Sequence, residues 1–379
     1  MYGKTWLGIV AVAVLTFSSM HGAFAAETIR LGVPGAHSGD LAGYGVPAYN
    51  AAQLVVDEVN AKGGINGKKI EIIAQDDQCK PELGTNAATK LLADNVDVVM
   101  GHTCSGATKA ALPLYTDKKI VVVSPSATSP ELTQSGSFPL FFRTTPSDDA
   151  QGKLGADFVV QHLKAKKVAI LHDKGDYGKG YAQFVKEFIE KSGTDTKIVF
   201  FDGLTPGGVD YTPIIQKIAR SGADTIVFGG YYPEASKLVT IMQSRKMKVN
   251  FVSEDGVKTE AFLKLAGKAG EGVYASSSRD YSDLPMTKAA VAAHEKKFSS
   301  APGQFFMQAY AATQAIVNAL EKTGSTDSQA IAKALRTEYV DTTIGKIRFD
   351  EKGDTVGAEF VMFQVVNGKF VEVPFKRAQ

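Results

Sequence analysis

The chain has 379 residues, 44% of them hydrophobic and 22% charged, with a formal net charge of +2. That length suffices for two lobes with their own cores, and the balanced charge gives no footing for a nucleic-acid partner. The six histidines form no His-x-x-x-His pair, and neither a Walker A sequence nor a Gly-x-Ser-x-Gly elbow occurs, so zinc, nucleotide and serine-hydrolase chemistry have no support.

In chain order, the first element is an export signal. Lys4 precedes an apolar stretch from Trp6 to Phe17, and Ala23-Phe24-Ala25 fits a small-x-small cleavage pattern. The apolar run is shorter than the ~20 residues needed to span a bilayer, and no cysteine follows it to carry a lipid. Removal after Ala25 is expected, leaving an exported soluble chain of net charge +1 that has lost Trp6, its only tryptophan.

Beyond the signal, strand and helix patterns alternate. Strands are expected over residues 28–33, 69–75, 96–101, 120–123, 167–171, 196–201, 225–228 and 250–252, with helical patterns between them. Ala48, Ala51, Ala52, Val55 and Val59 share one helix face, while Lys80-Pro81-Glu82 and Ser147-Asp148-Asp149 read as helix starts. Asn60 to Gly67 reads as a helix stop and turn. Such alternation argues for α/β architecture with parallel sheets flanked by helices. A break is expected near Arg143-Thr-Thr-Pro-Ser147, and after about Tyr274 the pattern changes to helices over 288–298 and 305–321, then strands near 346–349 and 359–364.

Two strand-to-helix turns carry the chemistry: Val96-Asp-Val-Val-Met-Gly-His-Thr-Cys-Ser105 and Ile120-Val-Val-Val-Ser-Pro-Ser-Ala-Thr128. Each ends a buried strand in small hydroxyl residues, and carboxyl ends of parallel strands are where ligands sit in open α/β sheets. Hydroxyls and free N–H groups there suit a small carboxylate or zwitterion. Cys79 and Cys104, each closing a strand in an exported chain, read as a disulfide worth roughly 3–4 kcal/mol. A two-cysteine metal site is the rival, but no cluster of further ligands accompanies it.

The second half offers three more strand ends. His172-Asp173 admits a general-base reading, outweighed by a structural histidine. Gly175-Asp-Tyr-Gly178-Lys-Gly180 only faintly resembles a dinucleotide loop, so no cofactor is expected. Tyr177 there, Tyr231 and Tyr232 in Gly229-Gly-Tyr-Tyr-Pro-Glu234, and the carboxylates of Val252-Ser-Glu-Asp-Gly256 could face the same edge, as aromatic walls and an ammonium partner. Helix capping is the plain alternative for the carboxylates.

Together these motifs, with Gly35-Ala-His-Ser-Gly39, Asp57-Glu-Val-Asn-Ala-Lys-Gly-Gly-Ile-Asn-Gly67, Asp76-Asp-Gln-Cys79, Pro125-Ser-Ala-Thr-Ser-Pro-Glu-Leu132 and Phe349-Asp-Glu-Lys-Gly-Asp354, resemble the branched-chain amino-acid-binding proteins of bacterial ABC transporters, of the type I periplasmic binding protein fold. The resemblance implies two Rossmann-like lobes, joined by a three-stranded hinge, that close on a free amino acid. It implies an N-terminal lobe of residues 26–146 plus 277–353 and a C-terminal lobe of 147–276 plus 354–379. Ser105 matches a residue that holds the ligand carboxylate, Thr128 one that contributes to both carboxylate and ammonium binding, and Ser126, beside Ala127, a position whose carbonyl meets the ammonium. Tyr177 and Tyr231 match aromatic residues brought over the ligand, while Tyr44 and Phe305 match positions lining the side-chain pocket. Asp255 stands where the family usually has a glutamate against the ammonium, so ligand preference stays open to other amino acids, amides, urea or aromatic acids. The resemblance further implies a periplasmic, monomeric receptor for leucine, isoleucine or valine, without catalysis, that docks on a membrane permease. An exported hydrolase, the reading from another class, lacks a nucleophile–base pair.

Overall fold

The computed structural model describes residues 1–3 and 28–375; the export signal, its cleavage after Ala25 and the last four residues of the expected C-terminal lobe lie outside the described residues. Two sheets organise the chain. The first comprises β1 (Ile29–Gly35), β2 (Ile70–Asp76), β3 (Val98–Met100), β4 (Val121–Ser124) and β5 (Phe141–Arg143). Its order is β2-β1-β3-β4-β5, and every pairing in it is parallel. Valine-rich strands form here because both faces are covered, and β-branched residues pack well on a pleated surface. Val98, Met100, Val121 and Val123 face one core, with helices Ala42–Ala61, Phe306–Thr323 and Ser328–Thr337. Val99 and Val122 face another, with Pro81–Ala93 and Ser105–Asp117.

The second sheet takes β6 (Lys167–His172), β7 (Lys197–Gly203), β8 (Thr225–Gly229), β9 (Asn250–Ser253) and β10 (Tyr274–Ser278). After a small hairpin of β11 (Val340–Thr342) and β12 (Gly345–Ile347), it is completed by β13 (Phe360–Val366) and β14 (Lys369–Glu372). Its order is β14-β13-β10-β9-β8-β6-β7, parallel except at β10–β13 and β13–β14. Period-2 alternation again divides the side chains: Val168 and Ile170 pack toward helices Asp148–Asp157 and Asp176–Lys191, Ala169 and Leu171 toward Thr212–Ser221 and Tyr232–Ser244.

The chain passes three times between the two units: from β5 to helix Asp148–Asp157, from β10 to helix Pro285–Phe298, and from β12 to β13. Helices after β10 return to the core of the first sheet, as Phe306, Ala309, Ile316 and Ile331 show. The expected α/β architecture is therefore present, with several boundaries shifted. The strand expected over 96–101 is only Val98–Met100, and that over 196–201 extends to Gly203. Strands β5, β10, β11 and β14 were not expected. Among the described residues no helix is long and apolar enough to cross a membrane.

Candidate functional site

The first wall is built at the carboxyl ends of β3 and β4. Gly101 lets the chain leave β3, because at φ +141° a Cβ would lie 2.3 Å from the Pro34 carbonyl oxygen. Beyond it, His102 is fully buried between Asp77 (Nδ1 to Oδ2, 2.6 Å) and the Tyr115 hydroxyl (Nε2, 3.1 Å). The Ser124 hydroxyl donates to the His102 carbonyl at 2.6 Å, and the Ser126 hydroxyl to the Thr103 carbonyl at 2.7 Å, tying the two turns together. Cys79 and Cys104 form a disulfide with a Cα–Cα distance of 5.3 Å. Helix Ser105–Asp117 therefore starts from a braced loop, with the unpaired N–H groups and positive dipole end of its first turn at the cleft. The Ser105 hydroxyl oxygen accepts from the Ser129 N–H at 3.2 Å, leaving its proton free to donate.

Arg143 holds the second turn from behind. Fully buried at the end of β5, it donates to the carbonyls of Ala127 (3.2 Å) and Ser129 (2.8 Å) and to the Thr133 hydroxyl (2.7 Å), while its Nε pairs with Asp354 at 2.5 Å. The guanidinium thus grips both residues flanking Thr128 with a planar fork that a lysine could not reproduce. The carbonyl of Ser126 is not among those it takes.

The opposite wall comes from the second sheet. Gly178, in the first turn of helix Asp176–Lys191, meets Gly229 at the end of β8 so closely that a Cβ on either would lie within 2.4 Å of the other's carbonyl oxygen. These glycines serve backbone packing, and the contact sets Tyr177 against Tyr231, their rings stacked with centroids 5.0 Å apart. The Tyr177 hydroxyl donates to Asp255 Oδ1 (2.5 Å) and accepts from the Gly256 N–H (2.8 Å). Asp255 is 2% exposed, and burial pushes its carboxyl up to about 6. Behind it the Gln151 amide accepts from the Asp255 N–H (3.0 Å) and donates to Asp148 Oδ1 (3.1 Å). Asp148 and Glu254 are fully buried and held well above the usual carboxylate range, by desolvation first and by the neighbouring carboxylates next. Among the described residues Glu254 Oε2 and the Tyr181 hydroxyl have no hydrogen-bond partner, while the Thr128 hydroxyl lies against the Asp148 carboxyl. Of these acidic groups only Asp255 borders the space between the walls, where its carboxylate can meet a cation.

Tyr44 and Phe305 close the site from the first unit. The Tyr44 ring lies 5.8, 5.4 and 5.5 Å from those of Tyr231, Tyr232 and Phe305, and its hydroxyl donates to the Gly256 carbonyl across the cleft at 2.5 Å. Tyr232 reaches back to the Asp40 carbonyl. The enclosed space left between these groups is about 10 Å³, bordered by Tyr44, Thr103, Ser105, Ser126, Tyr177 and Tyr231, together with Asp255, Gly256 and Phe305. That is barely room for one water molecule. The units are shut against each other.

A family model described as periplasmic binding protein matches residues 28–369. The chain belongs to the periplasmic binding protein family. It is 36% identical to the Leu/Ile/Val-binding protein of Escherichia coli K12 over 362 residues, which covers 95% of this chain and 96% of that one. It is 34% identical to the leucine-, isoleucine-, valine-, threonine- and alanine-binding protein of Pseudomonas aeruginosa, covering 93% of this chain and 94% of that one. Among solved structures, the branched-chain amino acid transporter substrate-binding protein of Streptococcus pneumoniae, in complex with isoleucine, superposes with a TM-score of 0.81 at 30% identity, covering 92% of this chain and all of that one. A solute-binding protein of R. palustris in complex with benzoate has a TM-score of 0.82 at 19% identity, covering 92% of this chain and 96% of that one, a likeness of fold alone.

In this periplasmic binding protein, the structure gathers Tyr44, Ser105, Ser126, Tyr177, Tyr231, Asp255 and Phe305 around one enclosed space. Ala127 and Thr128 do not border it. The Ala127 methyl packs in the core beneath the first sheet, and fully buried Thr128 lies beside Asp148. His172 is structural: its Nδ1 accepts from the Lys174 N–H at 3.0 Å, its ring packs on Phe201, and burial lowers its pKa. The described residues contain no group of three or more His, Cys, Asp or Glu able to hold a metal. Sequence reasoning missed Arg143, Asp148 and Gln151. A charged residue ending the apolar run Phe141-Phe142 was the available signal for Arg143.

Proposed function

We propose that this chain captures a free aliphatic amino acid, leucine, isoleucine or valine, between its two units and delivers it to a membrane permease of an ABC transporter. One observation carries the reading: a helix start with a free hydroxyl proton at Ser105 and a buried carboxylate at Asp255 border the same space, with aromatic rings between them. The first pair of groups matches a carboxylate and the second an ammonium, while Tyr44, Tyr231 and Phe305 bury an apolar side chain at about 25 cal/mol per Å². The names of the Escherichia coli and Pseudomonas aeruginosa relatives and the isoleucine complex support it. We assign Thr128 and the Ser126 carbonyl to the head group as well, reached once the units part.

The shut cleft requires the units to open before a ligand enters, and closure around the ligand then supplies the contacts that favour the closed form. The lobes divide as 26–146 plus 277–353 and 147–276 plus 354–379 in this reading. The receptor works as a monomer in the periplasm after loss of residues 1–25, and performs no catalysis. An aromatic acid, the ligand class of the R. palustris protein, has no ammonium to answer Asp255. A thermal-shift screen of the single amino acids against acetamide, urea and benzoate tests the proposal. Leucine, isoleucine and valine should raise the melting temperature most; stabilisation by benzoate or acetamide alone would overturn it.

A further inference from the structure

A second space, of about 830 Å³, opens on the other side of Phe305, which borders both it and the ligand cleft. Its walls come from both units: Lys258, Phe363 and Phe370 from the second, Thr287 and Val291 of helix Pro285–Phe298 from the first. Lys258 is the unusual group. Its ammonium sits 4.3 Å from the centroid of the Phe363 ring, and no carboxylate of the described residues pairs with it.

The other charges at the cavity differ. Arg279 stands 3.8 Å from Glu359 and Lys288 stands 3.9 Å from Asp283, while Lys369, Glu260, Asp280 and Glu295 are exposed to solvent. Asp280, Glu260, Asp255 and Glu372 attract Lys258 only from beyond contact distance, and its burial lowers the ammonium's pKa. An ammonium drawn out of water against an aromatic face recovers part of its hydration, and a carboxylate in contact would restore the rest.

We propose that this cavity is a second binding site, for a small organic monoanion with an apolar body, such as an arylalkyl or aliphatic carboxylate. The carboxylate sits on the Lys258 ammonium, and the body lies along Phe363, Phe370 and Val291. The ligand needs no ammonium, which separates this chemistry from that of the amino-acid cleft.

Calorimetric titration with 4-phenylbutyrate tests the site, on the full chain saturated with leucine and, separately, on Ser105→Ala. One-to-one binding is expected in both, weakened about tenfold or more in Lys258→Met, the loss of one charge-assisted hydrogen bond, and restored in Lys258→Arg. The neutral 4-phenylbutyramide should bind about tenfold more weakly than the acid. Leucine affinity of Lys258→Met, close to that of the parent chain, reports that the variant is folded. No binding to the leucine-loaded chain, or equal affinity in Lys258→Met and the parent, overturns the proposal. Failure of leucine itself to bind would sink the amino-acid reading only, since the Ser105→Ala titration still decides this one.

Discussion

Replacing Asp255 by asparagine isolates the electrostatic half of the grip. The side chain keeps its shape and an oxygen for the Tyr177 hydroxyl, but the charge is gone. In the ligand-free fold, burial raises this carboxyl from 3.8 to about 6, some two units, or about 3 kcal/mol. The sign follows from proton counting: between those values the folded chain keeps a proton that the unfolded chain has lost. Stability from this group is therefore full below about pH 4 and falls as pH rises through about 6. Above that pH the empty protein carries an uncompensated carboxylate, and the ligand ammonium compensates it. Asp255→Asn should make the ligand-free protein more stable at pH 8 by up to about 3 kcal/mol, while leucine binds roughly 10–100-fold more weakly, the worth of a hydrogen bond to a charged group. Affinity of the parent chain should also drop about tenfold per pH unit below pH 6, and the variant's should stay flat. Calorimetric titrations from pH 5 to 8, with urea unfolding at pH 8, measure all three. A parent affinity independent of pH, or an unchanged affinity in Asp255→Asn, would refute the reasoning.

Other parts of the account are open to simpler perturbations. Arg143→Met removes the cation paired with Asp354 and one donor from each of the Ala127 and Ser129 carbonyls and should cost about 3–5 kcal/mol in urea unfolding; a loss under 1 kcal/mol would show that the clamp is dispensable. Arg143→Lys should recover only part of that loss, because one ammonium cannot span the same acceptors. Removing the Cys79–Cys104 bridge by paired serine substitution should lower stability by about 3.5 kcal/mol on the chain-entropy model for a separation of 25 residues, visible as a lower melting temperature. Tyr44→Phe deletes the hydroxyl that bonds Gly256 across the cleft while keeping the ring, and should shift the empty protein toward the open form by about 0.5–1.5 kcal/mol. Small-angle scattering should then show a larger radius of gyration for the unliganded variant, and an unchanged radius counts against the latch.

Much of this was legible in the sequence wherever burial is two-sided. Val98–Met100 and Val121–Ser124 are apolar on both faces, so they stand out as strands however short. Strand β10 did not, because Ser276, Ser277 and Ser278 are buried hydroxyl residues; the Ser276 hydroxyl donates to the Gln151 amide oxygen, a partner no periodicity reveals. The tyrosine and glycine turns stood out because the close approach of Gly178 and Gly229 demands glycine at both places. Arg143 escaped because its partner Asp354 lies 211 residues away, and an ion pair of that span leaves no local pattern. Asp148 looks like an ordinary acidic residue in a first helical turn. Only the folded chain, in which the Gln151 amide bridges Asp148 and the Asp255 N–H, turns it into a buried neighbour of Asp255.

The central claim, that the cleft grips a free amino acid by its head group, is tested most directly by titrating leucine into the parent chain and into Ser105→Ala in the calorimeter. The account predicts one site per chain in the parent and an affinity at least about tenfold weaker in the variant, which loses the hydroxyl donor facing the carboxylate. No binding of leucine to the parent, or equal affinities in the two proteins, would contradict it.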